Sequence, residues 1–325
     1  MIRSAVFRAF SVVFSRVYGT PLARAIWRVP GSRTFYAFLM GRLRPEEVTV
    51  RGHVMRLDPL DSLLLSVNGT YEEEELDLLR DCIRPGDTIL DVGGHIGLYT
   101  LEASRAAGAE GRVVTFEPST ANYALLEHNV RLNGCTNVVL VKAAVSNADG
   151  ELTLVLSHDN SGDHQITTDP STSSDTERVR TVSIDSYCRD AGITTVNVVK
   201  MDIQGAEPVA LAGALRTIGA NPDVLLFTEV SPQHLASRGG TDAYLVALAD
   251  AGFDLWQMEG GGAVPRTVAE LSHLRIAAGT EHTDLVCVKG GGSRARLEDA
   301  LGRRDPEAGE DASGELSAEH HPEDR

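Results

Sequence analysis

Short, mainly apolar runs alternate along this chain with stretches of helical length, and that alternation confines it to an α/β architecture. The first runs are Thr88–Val92, Arg112–Phe116 and Val138–Val141, separated by helical patterns over Leu98–Ala107 and Ala121–Asn133. Parallel strands covered by helices on both faces read as continuous apolar segments, whereas a strand with one wet face alternates. The rhythm breaks over residues 150–184, where GELTLVLS reads as a strand, NSGDHQ as a loop and the following Ser/Thr/Asp stretch as a mobile wall of a binding site. It resumes with Val196–Met201, a helix from about Glu207 to Thr217, Val224–Phe227, a helix through Tyr244–Ala251, and two final strands, Phe253–Met258 and Thr283–Lys289, expected to be antiparallel.

The first strand ends in an acid and a glycine-spaced turn, TILDVGGHIG at 88–97, and the next strand, RVVTF, ends at Glu117. In an open parallel sheet the ligand lies outside the carboxyl ends of the strands, at the point where strand order reverses. Gly93 and Gly97 let the backbone bend beside that ligand, and Glu117 is placed to accept hydrogen bonds from two ribose hydroxyls. The spacing GGHIGL lacks the G-x-G-x-x-G that brings a helix N-terminus onto a pyrophosphate, which argues against NAD. S-adenosylmethionine has no phosphate and carries ammonium and sulfonium charges, so the carboxylate of Asp91 favours it as the cofactor.

A net charge of −16 argues against a nucleic-acid partner. The first 45 residues run against that balance with eight arginines and no acid. There Phe7, Phe10, Val13, Phe14 and Val17 recur at helical spacing, predicting basic amphipathic helices whose apolar face is covered by the domain or by a second subunit. A lid over the substrate and peripheral contact with an anionic membrane are the other readings of that face. Arginines at 3, 8, 16, 24 and 28 interrupt any signal-peptide core, and no apolar run reaches membrane-spanning length. With Cys82, Cys135, Cys188 and Cys287 far apart and unpaired in spacing, a cytoplasmic location is expected. The chain divides into a basic helical segment and hairpin over 1–67, a catalytic domain over 68–291 and an acidic disordered tail over 292–325.

Two further strand ends carry chemistry. VVKMDIQGAEP at 198–208 puts Asp202 directly after a strand, with Gly205 for a close turn and Glu207 opening a helix. LLFTEVSPQHL at 225–235 adds Glu229 and His234, and the insertion loop adds His164. A hydroxyl acceptor losing its proton during methyl transfer needs a base, and Asp202, Glu229, His234 and His164 are the candidates. His95, inside the glycine turn, shapes the pocket. Asp202, Glu229 and His234 offer oxygen and nitrogen to a metal, but no compact ligand motif requires one, so no metal is assigned.

Taken together, DVGGHIGLYT, FEPSTANYALLEHNVRLNG, VKAAVSNADGELTL, NSGDHQ, VKMDIQGAE and LLFTEVSP resemble successive blocks of the FkbM-type methyltransferases, over roughly residues 68–290. The resemblance implies a Rossmann-like sheet of seven strands in the order 3-2-1-4-5-7-6, strand 7 antiparallel, and O-methylation of a hydroxyl on a sugar, polyketide or related small molecule. By position it assigns Asp91, Gly93, Gly94, His95, Gly97, Glu117, Pro118 and Ala144 to the cofactor, and Asp202 to the transferring methyl. The chain departs from the family at His95, where Asn is common, and at Gln204, where Glu is common. The loss of a charge at Gln204 puts the family's base or metal assignment in doubt, and keeps a noncatalytic binding protein or an N- or carboxyl-methyltransferase as alternatives.

Overall fold

The computed structural model describes residues 42–59, 61–157, 160–167, 175–272 and 282–304, with positions 7, 28, 29, 31 and 38. The expected N-terminal helices, the Ser/Thr/Asp stretch 168–174 and the chain beyond 304 lie outside the described residues. A separate antiparallel hairpin, β1 (Glu47–Val50) and β2 (His53–Arg56), precedes the main domain. The domain then runs through α1 (Glu73–Cys82), β3 (Thr88–Val92), α2 (Leu98–Ala107), β4 (Arg112–Phe116), α3 (Thr120–Leu132) and β5 (Val138–Val141).

The insertion, together with β6 (Ala144–Val145) just before it, builds a small four-stranded sheet with β7 (Gly150–Val155), β8 (Gln165–Thr167) and β9 (Thr176–Val182), in the order β6-β9-β7-β8. After α4 (Ile184–Asp190) the main sheet continues with β10 (Val198–Met201), α5 (Glu207–Ala212), α6 (Leu215–Ala220), β11 (Val224–Val230), α7 (Pro232–Leu235) and α8 (Gly240–Asp250). It ends with β12 (Asp254–Glu259), β13 (Gly262–Arg266), β14 (Thr283–Lys289) and α9 (Gly291–Gly302).

The main sheet has eight strands in the order β13-β12-β14-β11-β10-β3-β4-β5, which corrects the expected count of seven. The added strand is β13, which pairs antiparallel with β12 beyond the Gly260–Gly261 turn and forms the outer edge. Its burial is low and its sequence GAVPR contains a proline, so no apolar run marked it; an edge strand tolerates both features. Strands β3, β4, β5, β10 and β11 are parallel, and β14 inserts antiparallel between β11 and β12.

Successive residues of the central strands enter opposite apolar layers. Leu90, Val114, Val199 and Leu226 face α4, α5, α6 and α8, while Ile89, Val113, Val198 and Leu225 face α1, α2, α3 and α9. This double burial is why the strands read as unbroken hydrophobic runs. Two expected boundaries shift. The helix foreseen over Glu207–Thr217 is two helices, because Gly213 passes so close to the Ser146 carbonyl that a side chain there would overlap it, and Asp185 caps the restart through the Arg216 and Thr217 amides at 3.1 and 2.7 Å.

The second shift is at the carboxyl end. The tail does not begin at 292, because α9 buries Leu297 and Ala300 against the sheet. Arg296 clamps α9 to Asp87 at the start of β3 with both terminal guanidinium nitrogens. That two-point charge-assisted contact is specific in geometry as well as favourable. Leu297→Ala is therefore expected to cost about 2–5 kcal/mol, measured as a lowered midpoint in denaturant unfolding. An unchanged midpoint would mean that the helix is not part of the folded domain.

Candidate functional site

The turn after β3 is held by both its backbone and its lack of side chains. The Gly93 and Gly94 amides both donate to the Phe116 carbonyl at 3.0 Å, tying the turn to the end of β4. Gly93 has φ of 93°, and a Cβ on it would overlap the Asp202 carbonyl oxygen. Glycine is thus required there twice over, for the left-handed backbone and for the close approach of the β10 loop. His95 also has positive φ, at 49°.

This turn brings the strand-end acids together. Glu117 is buried, its Oε2 accepting from the His95 amide at 2.9 Å and its Oε1 from the Ser119 amide at 2.8 Å. Burial pushes its pKa up to about 8, against the opposing pull of those two amides. Asp91 accepts from the Thr100 hydroxyl at 2.6 Å through Oδ2, while its buried Oδ1 has no hydrogen-bond partner among the described residues. Burial raises its pKa too, partly offset by Lys200 and the Thr100 bond.

Asp202 behaves differently. Burial would raise its pKa, but the Lys200 ammonium 3.1 Å from Oδ2, with the Gln204 amide 2.9 Å from Oδ1, holds it below the usual range. Lys200 is itself only 3% exposed, a lysine in the middle of a buried strand, and its Nζ lies 4.2 Å from the centre of the Tyr99 ring. Burial disfavours its charge, yet Asp202, Glu75 and Asp91 outweigh that and raise its pKa, so it remains an ammonium.

Two adjoining cavities open around these groups. One, of about 550 Å³, is walled by Phe116, Glu117, Pro118, Ala144, Val145 and Leu154. The other, of about 570 Å³, is walled by Leu63, Tyr71, Glu72, Tyr99 and Lys200. Gly93, His95, Gly162, Asp202 and Gln204 border both.

Tyr99 lies 2.9 Å from Glu72 Oε2 and 2.7 Å from Glu75 Oε2. A phenol has one proton to donate, so the second short contact needs a proton on a carboxyl. Glu75, whose pKa burial raises, is the group that keeps it.

The insertion loop closes over the turn through a chain of hydrogen bonds. His95 Nε2 meets the Ser161 hydroxyl at 2.8 Å, which meets Ser62 at 2.9 Å, and Ser62 donates to Asp58 at 3.1 Å. Asn122 adds a bond to the Ser161 carbonyl at 2.8 Å. Burial pushes the His95 pKa down, so its ring is neutral and fit for this hydrogen bonding.

The structure distributes the remaining sequence-predicted residues unevenly. Pro118, Ala144 and His164 stand on the wall of the first cavity, His164 accepting from the Ser157 amide at 3.0 Å. Gly97 is on neither wall; it packs against Leu126 at the start of α2. His234 packs beside the Asp202 loop, since a Cβ on Gly205 would overlap its backbone; its Nε2 is 3.8 Å from Asp163, and its buried Nδ1 has no partner among the described residues. Glu229 stands apart from both cavities, in register with Asp284 and 3.8 Å from the His282 ring. Burial and the neighbouring Asp202 raise its pKa to about 9.

Among the described residues no group of three or more His, Cys, Asp or Glu is arranged to hold a metal. Lys200, Tyr99, Glu72 and Asn122 were missed by sequence reading. A lysine inside the apolar run VVKM was the available signal for the first.

An open, mostly parallel sheet whose adjacent strands end in acids beside a glycine turn defines a Rossmann-like methyltransferase fold. The methyltransferase FkbM domain matches residues 91–255, half of the chain, and the chain belongs to that family. Among characterised relatives, it is 27% identical over 144 residues to hexuronic acid methyltransferase AglP of Haloferax volcanii, a match covering 44% of this chain and 56% of that protein. The chain thus spans about half the length of that relative.

Similar solved structures include an S-adenosylmethionine-dependent methyltransferase from Aquifex aeolicus, with TM-score 0.38, 15% identity, and coverage of 67% of this chain and 94% of that one. Another is a putative rRNA methylase from Clostridium thermocellum, with TM-score 0.42, 12% identity, and coverage of 67% and 96%.

S-adenosylmethionine is the cofactor this family membership implies, and the residues present fit it. The first cavity offers apolar walls for a flat base and an acid for a diol; Asp91 lines neither cavity, and its buried Oδ1, without a partner among the described residues, lies behind the Gly93 turn. Because Glu117 accepts hydroxyl protons best when ionised, ligand affinity should rise with pH until the group is fully deprotonated. Adenosine, which has the ribose diol but no titrating amino group, is expected to bind up to about tenfold more tightly per pH unit below about pH 8 and to level off above it. A flat profile in titration calorimetry would mean that Glu117 is ionised throughout.

Proposed function

We propose that this protein is an S-adenosylmethionine-dependent O-methyltransferase acting on a hydroxyl of a sugar or another small molecule. The observation that carries this reading is the pair of cavities meeting at Gly93, His95, Asp202 and Gln204, with Glu117 on one side and Lys200 and Glu72 on the other. Glu117 would hold the ribose, with Pro118 and Ala144 against the base. Glu72, Asp202 and Lys200 offer both signs of charge to the amino-acid end. When bound, S-adenosylmethionine supplies a methyl group on a positively charged sulfur. The family relative that acts on hexuronic acid supports a sugar as the acceptor class.

For the acceptor proton this reading offers two groups. Asp202 is ionised and borders both cavities, while His234 borders an open groove that meets the first cavity at Ile166 and Gln204. We favour His234 as the base, because Asp202 is already engaged by Lys200 and Gln204. His164 is a weaker candidate, since one of its ring nitrogens is taken by the Ser157 amide, and Glu229 lies off the cavities.

The division into a basic segment, a catalytic domain and a tail is retained as part of this reading, with α9 joined to the domain. No described helix is long and apolar enough to cross a membrane. Four free cysteines support a cytoplasmic location, and a second copy of the chain is the proposed cover for the apolar face of residues 1–20.

Calorimetric titration with S-adenosylmethionine and S-adenosylhomocysteine tests the donor site. Glu117→Ala should weaken both by about 10–100-fold, the value of hydrogen bonds to a charged group. A folded wild-type protein that binds neither would end the methyltransferase reading. With a hydroxylated sugar found by screening, His234→Gln should lower kcat by about 10²–10⁴-fold and leave donor affinity alone. Unchanged turnover would transfer the proton to Asp202.

A further inference from the structure

The groove beyond Gln204 contains a cation that the reaction itself does not use. About 1210 Å³ of open space is bordered there by Ser157, Asp163, Gln165, His234 and Arg238. Arg238 ends the short 3-10 turn Ala236–Arg238, four residues after His234, so the two side chains emerge on the same side of the chain.

The Arg238 guanidinium is half-buried, and one terminal nitrogen donates to the Ile166 carbonyl at 2.7 Å. It forms no ion pair within 4 Å with a carboxylate among the described residues; Asp163, the acid on the same groove, lies beside His234 instead. A guanidinium has five N–H donors arranged as a planar fork that matches a carboxylate, and one bond to a carbonyl leaves most of them unused. A neutral polyol would be served by Ser157, Asp163 and Gln165 alone. The chain carries a net charge of −16, so its overall field repels anions, and a local guanidinium is what would admit one.

Resting on the methyltransferase reading, we propose that the acceptor is an anionic sugar whose carboxylate is held by Arg238, with a neighbouring hydroxyl presented to His234 and the donor end of the groove at Gln204. Arg238 is then the residue that sets acceptor specificity. The same fork would suit the α-carboxylate of the donor, and the two sources are separable by experiment.

The protein saturated with S-adenosylhomocysteine is titrated with methyl β-D-glucuronoside and with the neutral methyl β-D-glucoside, using wild type, Arg238→Gln and Arg238→Lys. The glucuronoside should bind wild type at least tenfold more tightly than the glucoside. Arg238→Gln should erase that preference while leaving glucoside binding unchanged, and Arg238→Lys should restore part of it. A purely structural link to Ile166 would change the melting temperature without moving the ratio of the two sugars.

Equal binding of both sugars by wild type, absence of glucuronoside binding, or a preference that survives in Arg238→Gln would each overturn the proposal. So would a loss of S-adenosylhomocysteine affinity in Arg238→Gln, which would assign the guanidinium to the donor. Failure of wild type to bind S-adenosylhomocysteine at all would instead remove the donor site on which the proposal stands.

Discussion

The buried ammonium of Lys200 is what allows so many acids to share the centre of this protein. Asp91 at the end of β3, Asp202 just beyond β10, and Glu72 and Glu75 at the start of α1 all approach it, and an uncompensated cluster of buried carboxylates would either expel itself to solvent or take up protons. Both responses are visible in graded form. Asp202, in direct contact with the ammonium, keeps its charge; Glu75, deeper and shared with Tyr99, keeps a proton. The strand ends therefore present a differentiated set of groups, one anion beside one cation, and not a uniform patch of negative charge.

The second constraint is steric. Gly93 lets the loop after β3 touch the loop after β10, which is why Glu117, His95 and Asp202 belong to one cleft although more than a hundred residues of chain separate the first strand end from the third. Loop 160–165 then closes over this junction through Ser161, held from below by His95 and from the side by Asn122. His95 is the point at which the turn and its cover meet. Its neutral ring accepts that position because burial disfavours the charged form.

Much of this was legible in the primary structure. The apolar runs marked five parallel strands, since double burial leaves no room for alternation, and of the acids at their ends Glu117 and Asp202 line the cavities while Asp91 and Glu229 do not. The edge strand β13 was not legible, because it is short, exposed and contains proline. Nor was α9: its sequence GGSRARLEDALG reads as polar, yet Leu297, Ala300 and the Arg296–Asp87 clamp fix it to the sheet. Glu229 looked equivalent to Asp202 by position, but it is in register with Asp284 on β14, lies 3.8 Å from the His282 ring and lines neither cavity.

Sequence alone determined the class of fold, the family and the strand ends that meet at the glycine turn, because those depend on local patterns: runs of apolar residues, a glycine turn and an acid at a fixed place after a strand. Tertiary structure alone decided which acids keep their charge, which histidine borders the open groove beyond Gln204 and that Arg238 on the same groove has no carboxylate within 4 Å among the described residues. Those properties depend on burial and on distances between residues far apart in the chain. A pattern of neighbours along a sequence contains neither.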